Sequence, residues 1–530
     1  MESCGWSQAD HKALTAGVSF LKLRMVFSSD PPVSMAILIT SPGLVTTGTE
    51  GADDIRFISG GALTGNGSVV NGLAGNDTIT TTVSGVLTVG GSSDAISVNG
   101  GGGADSILVG VDGSTTSANN AVVLGGAGRD TIEVGQSVGA AAAAGFSNIG
   151  GGDGGDLMTI TTATYSAIGG GAGLDTIELT GTVTIATGAV VAGGAGDDII
   201  SGGANVTIQT AAGVFGGGGA DTISINSLST SGSFINGDSS ADGGGADSIL
   251  VGSQATETVV RGKGGADTIE VLNFGSAVIA GNAGGDVIIV SGNFAGDGSV
   301  KAGAGADLLD LDEANFAGSA LLIAGGGADT IALSGAGNLA EVTMNGGAGA
   351  DSITFSGAFG SGFGVLAISN LGDSKVGAMD TVDLDGLGGA NTAHFDLSLD
   401  RTALGLSAAA SLPGAIGDVS ATTTTTGVLT TTGVGFLTAV GVTGSVTDGA
   451  MTFTSEGSAG VSTAATYADA VTLASKDPDA GKSVLFTAGT DEYLFIQGGA
   501  AGTDDDYIVK FNGTDGSTFT GAATIELLGD

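Results

Sequence analysis

Apolar residues along most of this chain come in short alternating pairs, not in helical stripes. TIEV at 131–134, TISI at 222–225 and TIEV at 268–271 place an apolar residue at every second position. That is the spacing of a strand with one buried face. Each pair follows an aspartate, at Asp53, Asp77, Asp105, Asp130, Asp156, Asp175, Asp198, Asp221, Asp247, Asp267, Asp286, Asp307, Asp329 and Asp351. The residue two after each aspartate is Ile, Met or Leu, as in Ile132, Met158 and Leu309, and the residue two before it is glycine, as in Gly128, Gly196 and Gly349. Seven before it stands another apolar residue in most copies, among them Val70, Val123, Ile168, Val214, Ile279 and Met344.

The pattern predicts one repeated unit: a strand, a tight glycine turn carrying the aspartate, a second strand, and a return of variable length. A unit of about 22 residues cannot bury its own apolar face, but stacked units can. The expected fold is all-β, a parallel β-helix or β-roll solenoid with about 22 residues per coil, followed by a smaller β-rich C-terminal domain. The boundaries read as 1–45 for an N-terminal extension or cap, 46–385 for the solenoid and 386–530 for the C-terminal region. The copy at Asp247 departs: Ser240 falls at the apolar position, and the stretch GDSSADGGG, with Asp238 and Asp242, reads as an acidic loop outside the aspartate column.

Composition agrees with strands whose backbones approach closely. Glycine supplies 103 of 530 residues without the every-third spacing of collagen, and no proline lies between Pro42 and Pro413, which suits unbroken ladders. The net charge of -41, with 13 Lys and Arg against 54 Asp and Glu, disfavours nucleic acid and anionic lipid and favours cations. Cys4 is the single cysteine, so no intrachain disulfide can form. No apolar run is long enough to span a bilayer. Residues 1–45 hold no Sec-type signal, since MAILITSPG at 35–43 has a short apolar core and no basic flank.

Stacking places the aspartates in a column with coils about 4.8 Å apart. Two carboxylates at that distance repel by roughly 0.9 kcal/mol even at the dielectric of water, and lysine is too scarce to neutralise them. The turns supply carboxylates and carbonyls, hard oxygen donors suited to Ca²⁺, which takes six to eight of them. Mg²⁺ demands a stricter octahedron, and there are no paired His or Cys for zinc. All fourteen aspartates are thus candidate metal ligands.

The hexads at 100–105, 125–130, 151–156, 170–175, 193–198, 216–221 and 346–351 read GGxGxD, with looser copies such as GLAGND at 72–77 and GKGGAD at 262–267. This repetition resembles the GGxGxDxUx nonapeptide of RTX (repeats-in-toxin) proteins, over roughly residues 46 to 385. The resemblance implies Ca²⁺ bound between turns of a parallel β-roll. Here the coil is longer and the motif appears once per turn, so one calcium column is expected, with the other side closed by hydrophobic and Thr/Ser stacking. The ending from 483 to 530, a hairpin and a terminal strand, resembles the C-terminal regions of RTX proteins exported by type I secretion. TYADAVTLAS at 466–475 is the best short helix, and SFLKLRMVF at 19–27 is an apolar, basic segment suited to capping the first coil.

No catalytic constellation is found. His394 stands alone, and no GxSxG elbow is present. RTX-like repeats without an attached enzyme resemble bacterial surface-layer and fibril proteins. The chain therefore reads as a non-enzymatic, secreted, extracellular subunit that self-assembles on the cell surface, with cell-surface polysaccharide or lipopolysaccharide as a further partner class. An adhesin or ligand-binding surface protein is the alternative, and a polysaccharide lyase or epimerase on a β-helix is the third reading.

Overall fold

The computed structural model describes the repeated segments between residues 36 and 386, apart from parts of the return segments. Beyond them it describes strands at 392–399, 442–447, 450–455, 483–488, 491–496, 507–512, 518–519 and 524–528. The segment 19–27, the helix expected at 466–475, Cys4, Asp242 and the span 400–441 lie outside the described residues.

The fold is all-β, a parallel solenoid with about 23 residues per turn. The chain divides into two compact units, Met1–Thr207 and Ile208–Asp530, and each is built on the same plan. One sheet collects the strands that lead into the glycine turns, such as Val122–Ala127 and Ser166–Ala172. The other collects the strands that follow the aspartates, such as Thr131–Val134 and Thr176–Leu179. The first strand among the described residues, Ala36–Ile39, pairs in parallel with Asp54–Phe57.

In the first unit the pre-turn column runs Val70, Val98, Val123, Ile149, Ile168 and Val191 in strict register. The post-turn column runs Ile55, Ile79, Ile107, Ile132, Met158, Ile177 and Ile200. Both are buried. In-register stacking puts each branched side chain on its copy one coil away. Removing that apolar surface from water is the main favourable term, about 25 cal/mol per Å².

The second unit repeats the arrangement and resolves the irregular copy. Ile235, twelve residues before Asp247 instead of seven, joins the apolar column, in register with Val214 and Val260. The strand Phe234–Asp238 therefore ends in a longer turn before Asp247. Asp238 does not project from a solvent loop as the sequence suggests. It is 1% exposed, and its Oδ2 accepts the N–H of Gly264 at 3.3 Å. Register decides this, because a strand ending at Asp238 keeps Ile235 on the inward face.

The return side of the second unit is closed by apolar stacking. Phe274, Phe294 and Phe316 lie over one another with ring centroids 4.3 and 5.4 Å apart. Leu228 and Gln254 continue the bridges on this side. Gln254 is buried, and neither of its amide atoms has a hydrogen-bond partner.

At the C-terminal end Ser483–Ala488 and Asp491–Ile496 form the expected hairpin. Tyr507–Asn512 pairs with Asp491–Ile496 and also, in parallel, with Asp380–Gly386. A strand more than a hundred residues downstream thus extends the post-turn sheet beyond its last repeat.

Candidate metal column: the aspartate ladder

Each turn is shaped by glycines that the backbone conformation requires. Gly126 has φ +118, and a Cβ there would fall on the carbonyl oxygen of Gly101 in the preceding coil. Only glycine holds that conformation without strain and lets one turn sit directly on the next. Leu73, Lys263 and Asn282 occupy the equivalent place at positive φ in looser copies.

This tight stacking turns every aspartate into the coil stack. In the first unit the backbone N–H of Asp53 donates to Oδ1 of Asp77, and Asp77 donates in turn to Asp105, both at 2.7 Å. The series continues through Asp130, Asp156, Asp175 and Asp198 at 2.7–2.8 Å. In the second unit it runs from Asp221 through Asp247, Asp267, Asp286, Asp307, Asp329 and Asp351 at 2.7–2.9 Å. All fourteen aspartates expected from the sequence are therefore brought into columns, and all are buried.

The ladder has one further rung. Asp351 donates to Oδ1 of Asp380 at 2.9 Å, and the N–H of Asp380 ends on the hydroxyl of Ser374 at 2.7 Å. Ser374 is fully buried; its backbone carbonyl accepts the N–H of Ile508 at 3.0 Å, and its hydroxyl donates to the carbonyl oxygen of Ile508. Asp380 lacks the glycine two residues before it. Its sequence signal is the apolar Val382 two residues after.

The ladder changes the electrostatic argument. Repulsion between carboxylates is offset in part by amide dipoles, since in the rungs from Asp77 to Asp198 and from Asp247 to Asp380 one oxygen accepts a short bond from the neighbouring coil. The second oxygen is the unsettled one. Oδ2 of Asp77, Asp105, Asp130, Asp156, Asp175, Asp247, Asp267, Asp286, Asp307, Asp329 and Asp351 is buried with no hydrogen-bond partner. An orphaned carboxylate oxygen costs far more than an orphaned neutral group.

Burial accordingly pushes these groups up. Asp77, Asp130, Asp175, Asp267 and Asp329 rise to about 6. Asp286 rises to about 7 and Asp247 to about 8, with neighbouring carboxylates adding to desolvation. Asp105, Asp156, Asp307 and Asp351 are raised by desolvation as well.

What faces the orphaned oxygen is a carbonyl. A Cβ built on Gly72 would fall against both Oδ2 of Asp77 and the carbonyl oxygen of Gly100 in the next coil. The same convergence recurs at Gly125 with Asp130 and Gly151, and at Gly281 with Asp286 and Ala302. Two species satisfy a carboxylate oxygen opposite a carbonyl oxygen. A proton on the carboxyl donates to the carbonyl, or a hard cation takes both as ligands. The donor set fits Ca²⁺ in kind, being oxygen throughout. Among the described residues no three His, Cys, Asp or Glu side chains converge, so carbonyls and water would complete the shell.

No protein-family model, curated protein or solved structure matches this chain. Among the described residues no helix is long and apolar enough to cross a membrane.

Proposed function

We propose that this is a structural protein of the bacterial cell surface, a calcium-binding solenoid that self-assembles into a layer or fibre outside the cell. The observation that carries the calcium reading is the row of buried, unpartnered Oδ2 atoms facing carbonyls of the next coil. The aspartates of the two ladders would hold the ions, each giving one carboxylate oxygen while the other keeps its amide. Bound Ca²⁺ would neutralise a column whose charged form is otherwise disfavoured. Because the unfolded chain has no such column, ion binding adds directly to stability. Extracellular millimolar calcium is the setting in which this device is effective, and the RTX resemblance of the ending supports export by type I secretion.

A second reading, a ligand-binding adhesin, is favoured by one feature. Phe215 and Phe234 are half-buried on an outer sheet face with ring centroids 5.2 Å apart, the kind of apolar platform that stacks on sugar rings.

The test uses circular dichroism and electron microscopy of the purified chain. Excess EDTA should remove β-signal at pH 8, and Ca²⁺ should restore it where Mg²⁺ does so poorly. Ordered sheets or fibres should form with Ca²⁺. A spectrum unchanged in chelator at pH 8 sinks the calcium reading, and dispersed particles in millimolar Ca²⁺ sink the assembly reading.

A further inference from the structure

Between residues 57 and 374 the chain has four cations, Arg129, Arg261, Lys263 and Lys301. Arg261 and Lys301 lie in one outward column of the pre-turn sheet, with Ala280 between them in register. Neither makes an ion pair among the described residues, unlike Arg56 with Asp54 and Lys510 with Asp491. On the post-turn sheet of the same three coils the outward column reads Glu270, Ile289, Asp310. All these side chains are exposed or half-exposed, between inward neighbours that are buried.

The two columns match in spacing and position. Neighbouring strands are about 4.8 Å apart, so each column carries its charges roughly 9.6 Å apart with an uncharged residue between. The bend at 265–267 joins the two strands, and Arg261 stands four residues before it and Glu270 three after it, so both lie a similar distance from the same corner. The match continues one coil on, where Ile323 follows Lys301 and Ala332 follows Asp310.

We propose that the Arg261–Ala280–Lys301 face of one molecule docks on the Glu270–Ile289–Asp310 face of a second copy, side by side and without axial offset. Arg261 then meets Glu270, Ala280 meets Ile289, Lys301 meets Asp310, and Ile323 meets Ala332. A second copy is the occupant because a flexible polyanion would need no acid–apolar–acid spacing, whereas this chain presents it on the same coils. The contact is heterologous, so it leaves both outer faces open for further copies and propagates instead of closing. The inference rests on the self-assembly reading and not on the calcium reading.

The experiment measures association of the full chain by sedimentation velocity in millimolar Ca²⁺, with circular dichroism as the check on folding. The double variant Arg261→Glu, Lys301→Glu should associate at least about tenfold more weakly, because two opposite-charge contacts become like-charge ones. Glu270→Lys, Asp310→Lys should behave the same. An equimolar mixture of the two variants should regain association, since each then offers the face the other lacks. The milder pair Arg261→Gln, Lys301→Gln serves if charge reversal disturbs folding. If the wild type is monomeric, the assembly reading falls and this contact with it. If the wild type associates and the variants associate equally well, or the mixture fails to recover, this face is refuted while assembly by another surface stands.

Discussion

Asparagine and alanine at Asp130 should separate the two roles of the ladder. Oδ1 of Asp130 accepts the N–H of Asp105 at 2.7 Å, while Oδ2 has no partner and faces the carbonyl oxygen of Gly151. Asp130→Ala deletes both oxygens and leaves a buried amide without an acceptor, a loss of about 1–3 kcal/mol with or without calcium. Asp130→Asn keeps the acceptor and replaces the orphaned oxygen with an NH₂ group able to donate to Gly151. In chelator at pH 8 the wild-type carboxyl, raised to about 6, is charged and its Oδ2 unsatisfied, so Asn should be at least as stable as Asp. In calcium the order should invert. A site at a hundred times its dissociation constant contributes about 2.7 kcal/mol, and Asn forfeits most of that. Coils of a solenoid open locally, so the assay is hydrogen exchange at the Asp105 and Thr131 amides with and without Ca²⁺. If Asn and Ala are equally damaging in chelator, the hydrogen-bond account of the ladder is wrong. If Asn keeps its full protection in calcium, Asp130 is not a ligand.

In chelator, solenoid stability should fall as pH rises. The folded pKa values lie above the ordinary 3.8, at about 6 for Asp77 and Asp175, about 7 for Asp286 and about 8 for Asp247. Their contribution is thus complete below about pH 4 and is lost on rising through pH 6–8. Denaturant titrations across that range check this, calcium should flatten the fall, and a rise in stability with pH in chelator contradicts the buried-column account. Gly126→Ala should cost roughly 1–3 kcal/mol or more from strain at φ +118 and the clash with Gly101. Gly169→Ala, whose Cβ meets nothing within 4 Å, should be nearly neutral by the same melting assay. On the return side, Phe294→Ala should lose about 3–5 kcal/mol by opening a cavity between Phe274 and Phe316. Gln254→Leu should be neutral or stabilising, because its buried amide has no partner, and clear destabilisation would count against that burial.

Much of the fold is legible in the chain because the repeat is written in positions that each coil satisfies alone. The apolar residue two after each aspartate, the glycine two before it and the apolar residue seven before it are local facts. Stacking converts them into buried columns whatever the length of the return. That the aspartates line up follows from the same periodicity. What each oxygen does does not follow from it. Oδ1 belongs to the amide of the coil before, a partner 19 to 29 residues away in sequence, and only coil-to-coil register selects it. Register also overrode local spacing at the irregular copy, where Ile235 took the core position and Asp238 was drawn inside. Asp380 and Ser374 ended the ladder without the glycine signal, because the sheet still offered a strand edge there and Tyr507–Asn512 covered it. The cation column is the clearest case. Arg261 and Lys301 are forty residues apart and read as scattered charges in an acidic chain. Two coils of parallel stacking set them on one face opposite the alternation of Glu270, Ile289 and Asp310, because strand spacing, not sequence distance, decides which side chains are neighbours.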